Sequence, residues 1–134
     1  MPARWRELRG VVRSGQGDFG HWLARLKDHY RAKTGMEFFP GTLNVHLKEA
    51  YVFPPDALRL DKDEYGGLVS VRMAPCRIFG RAAYILRTEP RAGVEPADPC
   101  VLEVATDLGL RAAYGLKDGD LVSVEVPVAS AQGV

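Results

Sequence analysis

One stretch of this chain repeats its apolar residues at helical spacing, and most of the rest reads as strand. Phe19, Trp22, Leu23, Leu26 and Tyr30 recur every three or four positions, one face of an amphipathic helix over Phe19–Thr34. Asp18 stands where a cap is expected and Gly35 where the helix should stop. By contrast Leu8–Arg13, Thr42–Leu47, Leu68–Met73, Arg77–Leu86, Cys100–Thr106 and Leu121–Val126 alternate or run apolar over strand lengths. Short strands with brief connections and one good helix predict a mainly β fold, a small closed or nearly closed barrel with the helix plugging or covering one end. A short helical turn is expected near Leu108–Tyr114. Lys117-Asp118-Gly119-Asp120, ahead of Val122, Val124 and Val126, reads as a tight turn feeding a strand.

The 134 residues fit one domain, taken as 1–134, which at this size buries about two-thirds of its unfolded surface. The segment Arg87–Pro99 holds three prolines and reads as a surface loop rather than a domain linker. A formal net charge of +1 argues against bulk nucleic-acid binding, and the interspersed Arg4, Arg6, Arg9 and Arg13 read as a solvated strand edge. Cys76 and Cys100 lack CxxC spacing, no signal segment opens the chain, and no apolar run is long enough for a bilayer. The expectation is a cytoplasmic protein with neither membrane nor nucleic-acid partners. His21, His29 and His46 have no ligand-like spacing, so no zinc site is expected.

Three local features carry chemistry. Gly15-Gln16-Gly17-Asp18 separates a strand from the helix start, a geometry able to offer backbone N–H groups to an anion, although no Walker sequence is present. Pro40-Gly41 feeds a strand in which Thr42 and Asn44 share one face while Leu43, Val45 and Leu47 share the other. Two neutral oxygen donors suit Mg²⁺ whose charge is balanced by phosphate; the plain alternative is a polar strand edge. Glu103, among apolar neighbours in Cys100–Ala105, either faces solvent or lines a pocket where it could orient a hydroxyl.

In this order the residues resemble the CTP-dependent riboflavin kinases best known from archaea. The match spans nearly the whole chain and rests on Gly10–Gly17, on Phe39-Pro40-Gly41-Thr42-Leu43-Asn44-Val45, and on Leu102-Glu103-Val104-Ala105 with Leu110-Arg111 and Leu116–Asp120. The resemblance implies a six-stranded cradle-loop barrel that phosphorylates riboflavin to FMN with CTP as donor and Mg²⁺ as cofactor. It implies nucleotide contacts from Gln16, Gly17, Asp18, Phe19, Gly20 and His21 and from Leu108, Gly109, Leu110 and Arg111. By the same resemblance Thr42 and Asn44 hold Mg²⁺, Glu103 contacts flavin, and Glu103 and Asn44 serve catalysis. Glu95 stands where the family has a flavin-contacting threonine, and Phe19 where it has a small residue, either stapling the helix or narrowing the pocket. The alternative reading is a non-catalytic flavin- or nucleotide-binding barrel.

Overall fold

The computed structural model describes residues 4–15 and 19–128. Seven strands, β1 (Trp5–Arg13), β2 (Leu43–His46), β3 (Leu58–Leu60), β4 (Val71–Ile78), β5 (Arg81–Thr88), β6 (Val101–Ala105) and β7 (Leu121–Pro127), form one antiparallel sheet in the order β3-β4-β5-β6-β2-β1-β7. A further pairing of β4 with β7 closes six of them into a barrel and leaves β3 as an added edge. Three helices complete the fold: α1 (Phe19–Arg25), α2 (Lys27–Thr34) and α3 (Leu110–Tyr114), with a 3-10 turn at Lys62–Glu64.

Strand alternation divides the apolar residues into two cores. Val12, Leu43, Val45, Ala74, Cys76, Ala83, Ile85, Leu102, Val104, Val122 and Val124 point inward and fill the barrel. Val71, Met73, Leu86 and Ala105 point outward from the same strands and meet Leu23, Leu26 and Tyr30 of the helices together with Phe38 and Leu60. The helices therefore cover the outer face of β4, β5 and β6 rather than plugging a barrel end, because that face is the one carrying a second apolar row. Each fully buried Leu or Ile here contributes about 1.5–3 kcal/mol by removal from water.

The single predicted helix is two. Leu26, at φ −109° and ψ 26°, interrupts it, yet its N–H still bonds Trp22 O at 2.8 Å and its carbonyl accepts from Tyr30 N at 3.1 Å. Leu23, Leu26 and Tyr30 stay on one buried face across the kink, so apolar periodicity could not reveal it. The predicted strands Leu68–Met73 and Arg77–Leu86 are re-divided. β4 runs straight through Pro75, and the chain reverses instead at Phe79 and Gly80, both at positive φ (53° and 73°), a sign that matches hairpin twist. Pro75 is tolerated because it falls between the β3 pairing, which ends at Met73, and the β7 pairing, which begins at Arg77, so its missing N–H costs no bond on that side. Phe79, a bulky residue in left-handed conformation, stacks on Tyr114 with ring centroids 4.1 Å apart. The edge strand β3 was not anticipated at all. Finally β1 is no edge, being paired to β2 and β7; Arg9 and Arg13 are solvated on the barrel's outside.

Candidate functional site

Three separate segments converge where β2 begins. Its residues run Leu43 inward, Asn44 outward, Val45 inward, and the register places Asn44 opposite Arg13 of β1 on one side and Glu103 of β6 on the other. Glu103 in turn faces Leu86 of β5, and Leu86 faces Met73 of β4. A single row across the outer barrel surface thus passes from a cation through an amide and a carboxylate into the helix-covered apolar core. Just before β2, Thr42 donates its hydroxyl to Glu103 Oε2 at 3.0 Å. Burial pushes the Glu103 carboxyl above its ordinary value, and the Thr42 hydroxyl opposes that shift.

Gly15, just after β1, comes close to this row. Gly15 lies so near Asn44 that a Cβ there would sit 2.0 Å from Nδ2, which is why this position takes no side chain. Asn44 is only 8% exposed, and its amide forms no hydrogen bond with the described residues. Gln16, Gly17 and Asp18, the centre of the expected cradle and the expected cap, lie outside the described residues. Beyond them Gly20 packs on the Pro40 carbonyl, where a Cβ would come within 2.9 Å, and Gly109 packs on the Phe39 ring at a similar 2.9 Å. The Phe39 N–H also bonds Thr106 O at 2.8 Å. The Phe39–Gly41 turn is therefore clasped between the start of α1 and the turn before α3, and both expected nucleotide segments flank Thr42 and Asn44.

Within those segments the roles divide. His21 is exposed and meets Trp22 edge-on at 5.4 Å. Leu110 is committed to the barrel core and Leu108 packs against it, leaving their backbone and that of Gly109 for a ligand. Arg111 points its guanidinium to Asp118, with Nη2 2.6 Å from Oδ1. Glu95 is exposed in the long β5–β6 loop and joins no hydrogen bond or ion pair among the described residues. That loop leads into the Val101 end of β6, which pairs with His46, whereas Thr42 lies at the other end of β2.

Two features escaped the sequence reading. Arg13 stands beside Asn44 and has no ion-pair partner among the described residues; only strand register reveals it. The second is a cavity of about 520 Å³ between the helices and the Tyr65–Val69 loop, lined by Phe19, Trp22, Leu26, Tyr30, Tyr65, Val71, Thr88 and Arg91. Thr88 lies two residues from Leu86 on the outer face of β5, which places this aromatic cavity over the Val71–Thr88 pair, one outward-facing row along the sheet from the row that holds Glu103, Leu86 and Met73. Phe19 belongs to both places, its backbone at the cradle and its ring packed with the second core. The aromatic spacing was visible, but it read only as a helix face.

The Thr42 hydroxyl and the Asn44 amide oxygen are hard oxygen donors beside the Glu103 carboxylate. These two are the residues that could hold a Mg²⁺ ion keeping several waters and sharing phosphate oxygens. Among the described residues no group of three His, Cys, Asp or Glu could hold a metal by itself, and no helix is long and apolar enough to cross a membrane.

Comparison with known proteins gives the family. The family model CTP-dep_RFKase, described as "Domain of unknown function DUF120", matches residues 12–126. A riboflavin kinase of Archaeoglobus fulgidus is 35% identical over 134 residues, covering 90% of this chain and 54% of the relative. One from Methanocella arvoryzae is 29% identical, covering 87% and 55%, and one from Ignicoccus hospitalis 33%, covering 89% and 70%. The chain spans about half the length of the first two relatives. By a family match that takes in β2 to β6, all but the last residue of β7 and the end of β1, the chain belongs to the CTP-dependent riboflavin kinase family.

Proposed function

We propose that this chain transfers the γ-phosphate of CTP to the 5′-hydroxyl of riboflavin, giving FMN and CDP. The observation that carries the reading is a hard-oxygen corner, Thr42 and Asn44 beside Glu103, on the same outer barrel face as an aromatic cavity of about 520 Å³. A flat, largely apolar ring system suits the cavity, with Phe19, Trp22 and Tyr65 as its walls. Its polar side chain then leads along the outer barrel face toward Glu103. Nucleotide phosphates lie against Asn44, between the loop that starts at Gly15 and the turn that starts at Gly109.

The partly buried carboxylate of Glu103, whose proton affinity is raised by its surroundings, accepts the proton of the attacking hydroxyl or orients it. The hydroxyl oxygen forms the new bond to γ-phosphorus as the bond to the β-phosphate oxygen breaks, and CDP carries away that electron pair. Thr42 steadies the carboxylate through its 3.0 Å hydrogen bond. Arg13 and Arg111 flank the phosphates on either side, and positioning supplies most of the rate. Thr42 and Asn44 would hold Mg²⁺, which would supply neutralisation of the charge on the transferred phosphate oxygens. Two free cysteines, Cys76 and Cys100, support a reducing cytoplasmic setting.

The test is incubation of purified protein with riboflavin, Mg²⁺ and each nucleoside triphosphate in turn, with flavins separated by chromatography. FMN formed with CTP is expected. No FMN with any donor at high enzyme concentration overturns the proposal, and binding of both ligands without turnover marks the non-catalytic alternative.

A further inference from the structure

Asp118 sits in the turn between α3 and β7, and one carboxylate there holds two distant segments. Ser14 Oγ donates to both of its oxygens at 3.0 Å, and Arg111 Nη2 donates to Oδ1 at 2.6 Å. Ser14 is the residue immediately before Gly15, whose backbone lies against Asn44. Arg111 follows Gly109, whose backbone lies against Phe39. The turn carrying Asp118 is itself fixed: Gly119 N–H bonds Val12 O at 2.9 Å, Val12 N–H bonds Asp120 O at 2.8 Å, and Asp120 Oδ2 accepts from Lys117 N at 2.9 Å.

Exposed ion pairs of this kind contribute little to stability, so the arrangement calls for another purpose. Arg111 uses one donor on Asp118 and keeps the rest of its fork for a phosphate. Asp118 is negative, and a direct contact with a polyphosphate would be repulsive. Its effect on a nucleotide must therefore run through the groups it holds.

We propose that Asp118 is a positioning residue for the nucleotide, setting the spacing between Ser14-Gly15 and the turn that begins at Gly109 by binding Ser14 and Arg111 at once. The inference rests on the nucleotide-binding part of the proposed function and not on which acceptor is phosphorylated. Both arms were legible as sequence motifs, but only the fold shows that one carboxylate joins them.

The experiment is calorimetric titration of the full chain with CDP in the presence of Mg²⁺, and separately with riboflavin, for wild type, Asp118→Ala, Asp118→Asn and Ser14→Ala. Asp118→Ala is expected to weaken CDP about tenfold, as loss of a charge-assisted contact that positions a ligand group does, with riboflavin affinity and melting temperature unchanged. Asp118→Asn, which keeps an acceptor for Ser14, should fall between. Adding Ser14→Ala to Asp118→Ala should cost nothing more, because Ser14 acts through the missing carboxylate. Wild-type CDP affinity in Asp118→Ala, or an equal loss of riboflavin, overturns the inference. A wild-type protein that binds CDP but makes no FMN refutes the kinase reading alone, and one that binds no nucleotide refutes both.

Discussion

Replacing Gly15 by alanine tests whether the site depends on the close approach of its loop to Asn44. A Cβ at Gly15 would sit 2.0 Å from Asn44 Nδ2 and 2.8 Å from Cγ. Ordinary contact begins at 3.4 Å, so loop and amide must separate by 3.4 − 2.0 = 1.4 Å. Stability should barely respond. Gly15 is exposed and does not carry a positive φ, so alanine fits the backbone, and restricting the unfolded chain favours the variant by about 0.4–1 kcal/mol. Catalysis should respond strongly, because misplacement of a positioning group by about 1 Å costs on the order of 10²-fold. The expected result is kcat/KM for FMN formation down about 100-fold, with the melting temperature within a few degrees of wild type. Asn44→Ala should be similarly impaired, and the double variant no worse than Asn44→Ala, since the clashing amide is gone. Full activity in Gly15→Ala refutes the reasoning, and so does a loss that merely follows unfolding.

Glu103 should impose an acid limb on the pH–rate profile, activity rising with pH through a value above the ordinary 4.5; Thr42→Val, removing the hydrogen bond that lowers it, should move the limb to higher pH, and Glu103→Gln should abolish it. The same raised value makes Glu103 favour the folded state below pH 4.5, an advantage lost as pH rises through the folded-state value, so Glu103→Gln should flatten that part of a denaturant-measured stability profile. Chelation of Mg²⁺ with excess EDTA should stop FMN formation and weaken CDP binding while riboflavin binding persists, and added Mg²⁺ should restore both. Trp22→Ala, at the cavity wall, should raise KM for riboflavin about tenfold with KM for CTP unchanged, as loss of one ring-stacking side chain does; equal effects on both substrates would place the flavin elsewhere.

Local pattern was enough to read the barrel strands and the Thr42–Asn44 face, because alternation is a property of neighbouring residues. What depends on distant pairing was not. The hairpin reversal at Phe79 and Gly80 was hidden by Pro75, which normally interrupts a strand and is allowed here only by the gap between β3 and β7. The kink at Leu26 leaves the buried face intact and so leaves no mark on spacing. Thr42, Asn44 and Glu103 were each singled out in sequence, yet their meeting is fixed by the β2–β6 register, as is the place of Arg13 beside them. Glu95, a position transferred by sequence order alone, lies exposed on the β5–β6 loop.

The row that runs from Arg13 through Asn44 and Glu103 to Leu86 and Met73 also determines how this protein can fail. Its members are spaced by the sheet itself, about 4.8 Å per strand, so the distance from the phosphate corner to the helix-covered core is set by counting strands rather than by loop conformation. Such a ruler has no intermediate settings. A one-residue insertion within β6 would reverse its faces, sending Glu103 toward the barrel interior and Val104 outward. Divergence within these strands is therefore expected to proceed by side-chain exchange on a fixed grid, while length changes gather in the β5–β6 loop.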